Sequence, residues 1–424
     1  MTKGQQLKTS RPDYYEATLP CGLRIIYEPA NTEVVYCGIV VGAGTRHEDA
    51  ADSGMAHFIE HTTFKGTTSR KAYQINGFLE RRGGDLSAFT TKQETVYYAT
   101  ALKSDFHHVA DILTDIVFHS TYPQAELDRE KEVICDEIDS YLDTPSDLIF
   151  DEFETLIFPN HPLGRDILGK AERLKQYTTA DAHRYADAYY HPRNCVFYAF
   201  GDLNFARMVK TLESLLPASD FPVTPQQIVT TIPKALPIST EKGWTRETDK
   251  QTHQAHVLMG CRTIGGNDKD CHALTLLNNI IGGPAPNSRF NVRLREKAGL
   301  VYSVDAYIGF YPDAGVWSVY FGCDQKDIKR CQRLIRREMD RFIEAPITEN
   351  QLRTARQQLV RQLRIARDHF ENHAVSMGRL YAKYGIFRNI EEVCALYDDV
   401  TPADLQRIAN DIFNPERLST LIYK

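Results

Sequence analysis

Two histidines and a glutamate carry the most pointed chemistry in the chain. In Gly54-Met55-Ala56-His57-Phe58-Ile59-Glu60-His61 the imidazoles stand at i and i+4. On a helix they share one face, a turn apart, and can reach one ion; imidazole is a good zinc ligand. Phe58 and Ile59 fall on other sides and can meet a core. Glu60, beside His61 and three residues after His57, projects next to that ion, where a carboxylate can take a proton from water. The order H-x-x-E-H is the inverse of the more familiar H-E-x-x-H. With three fixed residues the pattern is short, and a polar helix face in solvent reproduces it. Catalytic zinc usually has three protein ligands and an open position, so a further ligand must come from elsewhere. The stretch Glu126 to Ile138 is acidic and helical in period, with Glu130 and Glu137 seven apart on one face and Glu132, Asp136 and Asp139 on others. Read alone, it is more often a solvated acidic helix.

These residues must be placed by the elements around them. Leu23 to Tyr27 and Val34 to Val41 are rich in β-branched and aromatic residues and bounded by Gly, Pro and Asn, which predicts strands. A helix is expected around 52–64, a strand pair at 85–89 and 95–101, and helices over 104–117 and 124–142. The order then restarts: a strand at 255–260, a helix over 270–281, strands at 301–308 and 315–323, and helices at 326–343 and 348–382. This is a repeat by order of elements rather than by identity. Residues 217–242, rich in Pro, Thr, Ser and Gln, have no sustained period and read as a linker. The expected division is a zinc-binding half, 1–216, that linker, and a related half, 243–424. Antiparallel strand pairs beside helices predict an α+β fold.

Composition narrows the class. The 424 residues are 42% hydrophobic and 25% charged, with net charge −6, an ordinary globular balance. A nucleic-acid binder normally shows a basic domain or stripe, so no nucleic-acid partner is expected. No run of ~18 apolar residues exists to cross a membrane, and the start lacks the apolar stretch of a secretory signal. Nine dispersed cysteines argue against a disulfide framework and against a cysteine zinc site. The expected location is the cytoplasm.

The chain resembles the pitrilysin family of zinc peptidases, in particular its short, bacterial-type members. The family's mark is H-x-x-E-H followed by a glutamate 76 or 77 positions beyond the second histidine. Glu137 lies 76 beyond His61, and the family's second acidic residue, seven earlier, matches Glu130. The resemblance therefore implies one Zn2+ per chain on His57, His61 and Glu137, with Glu60 as base and Glu130 as the supporting acid of the catalytic set. Gly83-Gly84-Asp85-Leu86-Ser87-Ala88-Phe89-Thr90 is similar to the family's G-G-x-x-N-A-x-T edge strand, which implies that Ser87, Ala88 and Phe89 bind substrate backbone. Ser87 stands where Asn is common, and a hydroxyl reaches less far than an amide. Arg293 to Ser303 resembles R-E-K-x-G-L-x-Y, which implies that Arg295 and Tyr302 hold substrate carbonyls. Read alone, Arg295 is a surface helix residue and Tyr302 a core one. His161 and His191 lie in familial segments and are given no ligand role. The implied architecture is two related halves, each a mostly antiparallel sheet with helices packed on it, closing like a clam around an extended peptide. The implied activity is hydrolysis of internal peptide bonds by a homodimer, or by a heterodimer with a related chain. A non-catalytic scaffold of the same fold is the alternative.

Overall fold

Runs of alternating apolar residues build two mixed β-sheets. They are seen in a computed structural model that describes residues 8–11, 13–237 and 242–424. The first sheet holds β1 (Lys8–Arg11), β2 (Tyr14–Thr18), β3 (Arg24–Pro29), β4 (Val34–Val41), β5 (Asp85–Thr90), β6 (Thr95–Leu102) and β7 (Cys195–Gly201), in the order β1-β2-β3-β7-β4-β6-β5. The second holds β8 (Thr245–Thr248), β9 (Ala255–Thr263), β10 (Val301–Phe310), β11 (Gly315–Cys323) and β12 (Ser419–Tyr423), in the order β10-β11-β9-β12-β8. Each has one parallel pair, β3 with β7 and β12 with β8, and is otherwise antiparallel. The α+β expectation, two related halves with mostly antiparallel sheets, holds.

Both sheets are covered on two faces. On one side of the first sheet, Ile25, Tyr27, Val35, Ile39, Tyr97 and Ala99 pack with residues of the helices Met55–Thr63, Phe106–Phe118 and Phe205–Leu215. On the other, Ile26, Val40, Val196, Tyr198 and Phe200 meet Ala374, Met377 and Tyr381 of the helix Phe370–Tyr384. A central strand covered twice should be apolar throughout, and every residue of β7 is buried. In the second sheet Val257, Met259, Trp317, Val319 and Phe321 pack with residues of the helices Cys271–Gly282, Ile328–Glu344 and Pro402–Ile412. Its other face meets the helix Pro145–Ile157, where Phe150 lies 5.2 Å from Tyr307 and 5.4 Å from Tyr320, centroid to centroid.

The chain does not divide at a single linker. One compact unit is 1–139, 160–231 and 367–387; the other is 140–159, 232–366 and 388–424. The linear boundaries at 216 and 243 therefore miss an exchange: each unit is completed by a helix from the other half of the sequence. The exchange also explains why the expected helix over 348–382 is two helices, Glu349–Arg367 and Phe370–Tyr384, broken at Asp368 and His369. The chain passes between units there. Arg367 and His373 grip Glu28 of β3 at 2.5 and 2.7 Å. Gly378 lies so close to the Tyr198 ring that a Cβ would stand 2.3 Å from it. Of the linker, 238–241 fall outside the described residues; 221–237 form no helix or strand. Among the described residues no helix is long and apolar enough to cross a membrane.

Candidate metal centre

The helix Met55–Thr63 is held at its start before it offers any chemistry. Gly54 adopts a left-handed conformation, φ 82°, against the backbone of Leu168 and Gly169. The buried carboxylate of Glu48 accepts from the N–H groups of Gly54 and Ala56 at 3.0 and 2.8 Å, satisfying donors that a helix start leaves free. Burial pushes the Glu48 carboxyl up to about 8, against those two hydrogen bonds. Phe58 and Ile59 enter the core as expected, which turns His57, Glu60 and His61 toward the helix Gln124–Leu142 and the strand β5.

His57, His61 and Glu137 converge. Their ligand atoms lie within 4.8 Å of one another, and this is the one such group found among the described residues. Nε2 of His57 is 3.8 Å and Nε2 of His61 3.3 Å from Oε2 of Glu137. Tetrahedral zinc with bonds of ~2.0–2.1 Å places its ligand atoms about 3.4 Å apart. The donor set of two imidazoles and one carboxylate is therefore of the right type for zinc, and the two distances to Glu137 lie on either side of that spacing.

The surroundings bias each group differently. Burial, aided by the neighbouring His61, pushes His57 down to about 3, so it is neutral and able to donate a lone pair. Its Nδ1 is buried without a hydrogen-bond partner among the described residues. Nδ1 of His61 is 2.9 Å from Oε1 of Glu130. A carboxylate only accepts, so Nδ1 carries the proton and Nε2 is left for a metal. Burial alone would lower His61; the bond to Glu130 and the charges of Glu60, Glu137 and Glu130 outweigh it and raise the group. Lys65 Nζ, 2.6 Å from the other Glu130 oxygen, joins His61 in holding Glu130 below the usual carboxylate range against its burial. Glu60 is 9% exposed, and burial raises its carboxyl despite a 2.6 Å hydrogen bond from the Thr90 hydroxyl and the charge of His61.

The remaining sequence candidates lie in two places. Ser87, Ala88 and Phe89 are on β5, the outermost strand of the first sheet. Ser87 departs from the familial Asn, as noted. Phe89 turns to the opposite face, 6.0 Å from Tyr98. Arg295 and Tyr302 belong to the second unit, on the π-helical turn Asn291–Glu296 and the start of β10. The guanidinium lies 5.9 Å from the Tyr302 ring. Tyr302 is 87% exposed, so its reading as a core residue is overturned. His161 and His191 make backbone contacts, to Leu163 and Ile228. Sequence reasoning passed over Thr90, Lys65 and Glu48. Thr90 closes the quoted edge segment, and its place two residues after Ala88 on the same strand face was the available signal. Lys65, four residues beyond His61, was a second.

Residues 24–171 match the model described as Insulinase (Peptidase family M16), and 176–359 the one described as Peptidase M16 inactive domain. The chain belongs to the M16 peptidase family, the pitrilysin and insulinase group. It is 30% identical over 402 residues to the uncharacterized zinc protease YmxG of Bacillus subtilis, covering 95% of this chain and 96% of that one. It is 29% identical to an uncharacterized zinc protease of Streptomyces coelicolor, covering 93% and 86%. The fold matches the crystal structure of a protease from Helicobacter pylori, with TM-score 0.89 and 20% identity over 97% of this chain and 99% of that one. It also matches a peptidase M16 inactive domain from Pseudomonas fluorescens, with TM-score 0.85 and 16% identity over 97% and 98%.

Proposed function

We propose that the protein is a zinc-dependent endopeptidase acting on internal bonds of extended peptides, with one zinc per chain on His57, His61 and Glu137. The observation that carries the reading is the convergence of those three donors beside the buried carboxylate of Glu60, which shares the helix of the two histidines. Zinc held there supplies Lewis acidity, polarising a carbonyl and lowering the pKa of water toward ~7. Glu60, raised by its burial, is suited to take a proton from water and to return it to the leaving amine. Glu130, fixed between His61 and Lys65, keeps the His61 ring in the orientation that presents Nε2.

Among the described residues no strand pairs with the outer edge of β5, so an extended peptide can add there through main-chain hydrogen bonds. That mode requires a free substrate backbone and favours unfolded chains over folded proteins. We assign Ser87, Ala88 and Phe89 to this contact, and Arg295 with Tyr302 to holding a substrate carbonyl as donors. Assembly of two such chains is part of the same proposal and is read by sedimentation.

The test is zinc quantification beside a quenched-peptide assay, with and without chelator. One zinc per chain and chelator-sensitive internal cleavage support the enzyme. A zinc-free protein from non-stripping purification, inert on a mixed peptide library, supports the scaffold instead.

A further inference from the structure

Two helices carry opposite charges in the same pattern. Ile328–Glu344, with the turn Gln325–Asp327 before it, presents Lys326, Arg330, Arg333, Arg337 and Arg341 to solvent. Behind that row the helix buries Ile328, Ile335, Met339 and Phe342. Gln124–Leu142 presents Asp128, Glu132, Asp136 and Asp139, and the exposed Asp143 follows just past its end. Its buried side carries Leu127, Ile134 and Ile138. The cations step by four, three, four and four residues; the acids, read from Asp143 back to Asp128, step by the same numbers. Antiparallel helices meet residue for residue in that order. One register therefore sets Lys326 against Asp143, Arg330 against Asp139, Arg333 against Asp136, Arg337 against Glu132 and Arg341 against Asp128. The same register sets Asp340 against Arg129, with the signs exchanged. Both rows span fifteen residues, 341 − 326 and 143 − 128, or ~22 Å of helix.

The middle of neither row is neutralised within the chain. Among the described residues, the side chains of Arg330, Arg333, Arg337, Glu132, Asp136 and Asp139 make no hydrogen bond or ion pair. Like charges also stand four apart in each row, as Arg333 and Arg337 or Glu132 and Asp136 do, and that spacing weakens a helix left in solvent. An opposite row laid along each removes the repulsion. We propose that the two rows are the two sides of one contact between copies of this chain, with Gln124–Leu142 of one copy antiparallel on Ile328–Glu344 of another. Rows of charge fix register and partner choice, and their attraction is screened by salt. The zinc donors take no part: Glu137 stands about 100° round the helix from Asp136, the nearest acid of the row.

The inference rests on the assembly of chains put forward above and on no catalytic step. Sedimentation equilibrium of the full chain tests it. Raising salt from about 50 to about 500 mM should weaken wild-type association about tenfold or more. One variant carries Arg330→Glu, Arg333→Glu and Arg337→Glu; a second carries Glu132→Arg, Asp136→Arg and Asp139→Arg. Each alone sets like charge against like and should stay monomeric where the wild type assembles. Mixed in equal amounts, each supplies the row that complements the other's reversed one, and association should return. A wild-type chain that is monomeric at low salt overturns this contact together with the assembly. Association that ignores salt, or that survives either reversal, overturns the contact alone, as does a mixture of two folded variants that stays monomeric. Far-UV circular dichroism checks the fold of each variant, and the salt series decides the matter if one misfolds. Zinc content and peptide cleavage, measured on the same wild-type samples, decide the peptidase reading separately.

Discussion

Strands β3-β7-β4-β6-β5 of the first sheet and β8-β12-β9-β11-β10 of the second run in the same order, with the parallel pair in the same place. A helix follows the strand at the centre of each series, Met55–Thr63 after β4 and Cys271–Gly282 after β9. In the first unit this helix presents His57, Glu60 and His61 to a helix that begins Gln124-Ala125-Glu126 and carries Glu130 and Glu137. In the second, the matching long helix Glu349–Arg367 carries Arg353, Arg356, Arg361 and Arg364 instead. Among the polar side chains of Cys271–Gly282, Asn278 is committed to structure: it accepts from the Trp317 indole at 2.9 Å and donates to the Ala306 carbonyl at 3.0 Å. One architecture thus stands with and without the donor cluster. The cluster is an addition to a frame that does not need it for folding.

The largest effect should be the most one-sided. Glu60→Gln should lower turnover about 10³-fold, in the range for a lost general base, with zinc still bound at one per chain. The metal-free variant should be at least as stable as wild type, because burial opposes the charged form of Glu60. Turnover near the wild-type rate would remove Glu60 as base, and a large loss of stability would contradict the separation of frame and cluster.

The exchanged helices offer a second contrast. Phe370–Tyr384 is fixed to the first sheet by cations: Arg379 and Lys383 approach Glu94, 2% exposed, at 2.6 and 3.2 Å. Pro145–Ile157 is fixed to the second through phenols on its acids. Removing one partner of a buried ion pair costs about 3–5 kcal/mol, so Arg379→Ala should cost about 3 kcal/mol with Lys383 remaining. Glu152→Gln, which keeps an acceptor for Tyr423, should cost under about 1 kcal/mol. Urea titrations with the zinc site loaded measure both, and equal losses would void the contrast.

Asn278→Ala comes next. It strands the buried Trp317 N–H and should cost about 2 kcal/mol with no change in zinc content or in KM. A changed zinc content would couple the second frame to the first unit's donors.

The two histidines and Glu60 were legible because their information is local and chemical, i and i+4 on one helix; Glu137 and Glu130 were singled out of an acidic stretch only by the resemblance, since spacing along a helix does not say which of its acids meets a distant partner. The repeat was also legible as a restart in the order of elements. The helix exchange was not. Pro145–Ile157 and Phe370–Tyr384 are amphipathic like their neighbours, and no periodicity says which sheet an apolar stripe will meet. Glu28, Glu94 and Gly378 mark the docking of Phe370–Tyr384, yet each is an unremarkable residue until its distant partner is known. The core reading of Tyr302 failed for the opposite reason: a tyrosine on a strand is usually half-buried, and the π-helical turn before β10 that accompanies its exposure has no sequence signature.

Thr90 gives the smallest effect and the sharpest one on mechanism. Its hydroxyl donates to Glu60 Oε2 at 2.6 Å and favours the ionised carboxylate, opposing the burial that raises the group. The second unit has no equivalent, since β10 faces no carboxylate of the Cys271–Gly282 helix. Thr90→Val deletes the donor at nearly constant volume, so the Glu60 carboxyl should rise further above the ordinary glutamate value. A base works only when deprotonated, so activity is present above that pKa and lost as pH falls through it. The acidic limb of kcat/KM should therefore move to higher pH, with kcat near neutrality lower by about fivefold, the worth of one net hydrogen bond of ~1 kcal/mol. KM should stay, because the bond is not to substrate. Thr90→Ser restores the donor and should restore both limb and rate. A merely structural role for Thr90 would lower stability and leave the limb where it was, and that outcome would release Thr90 from the base.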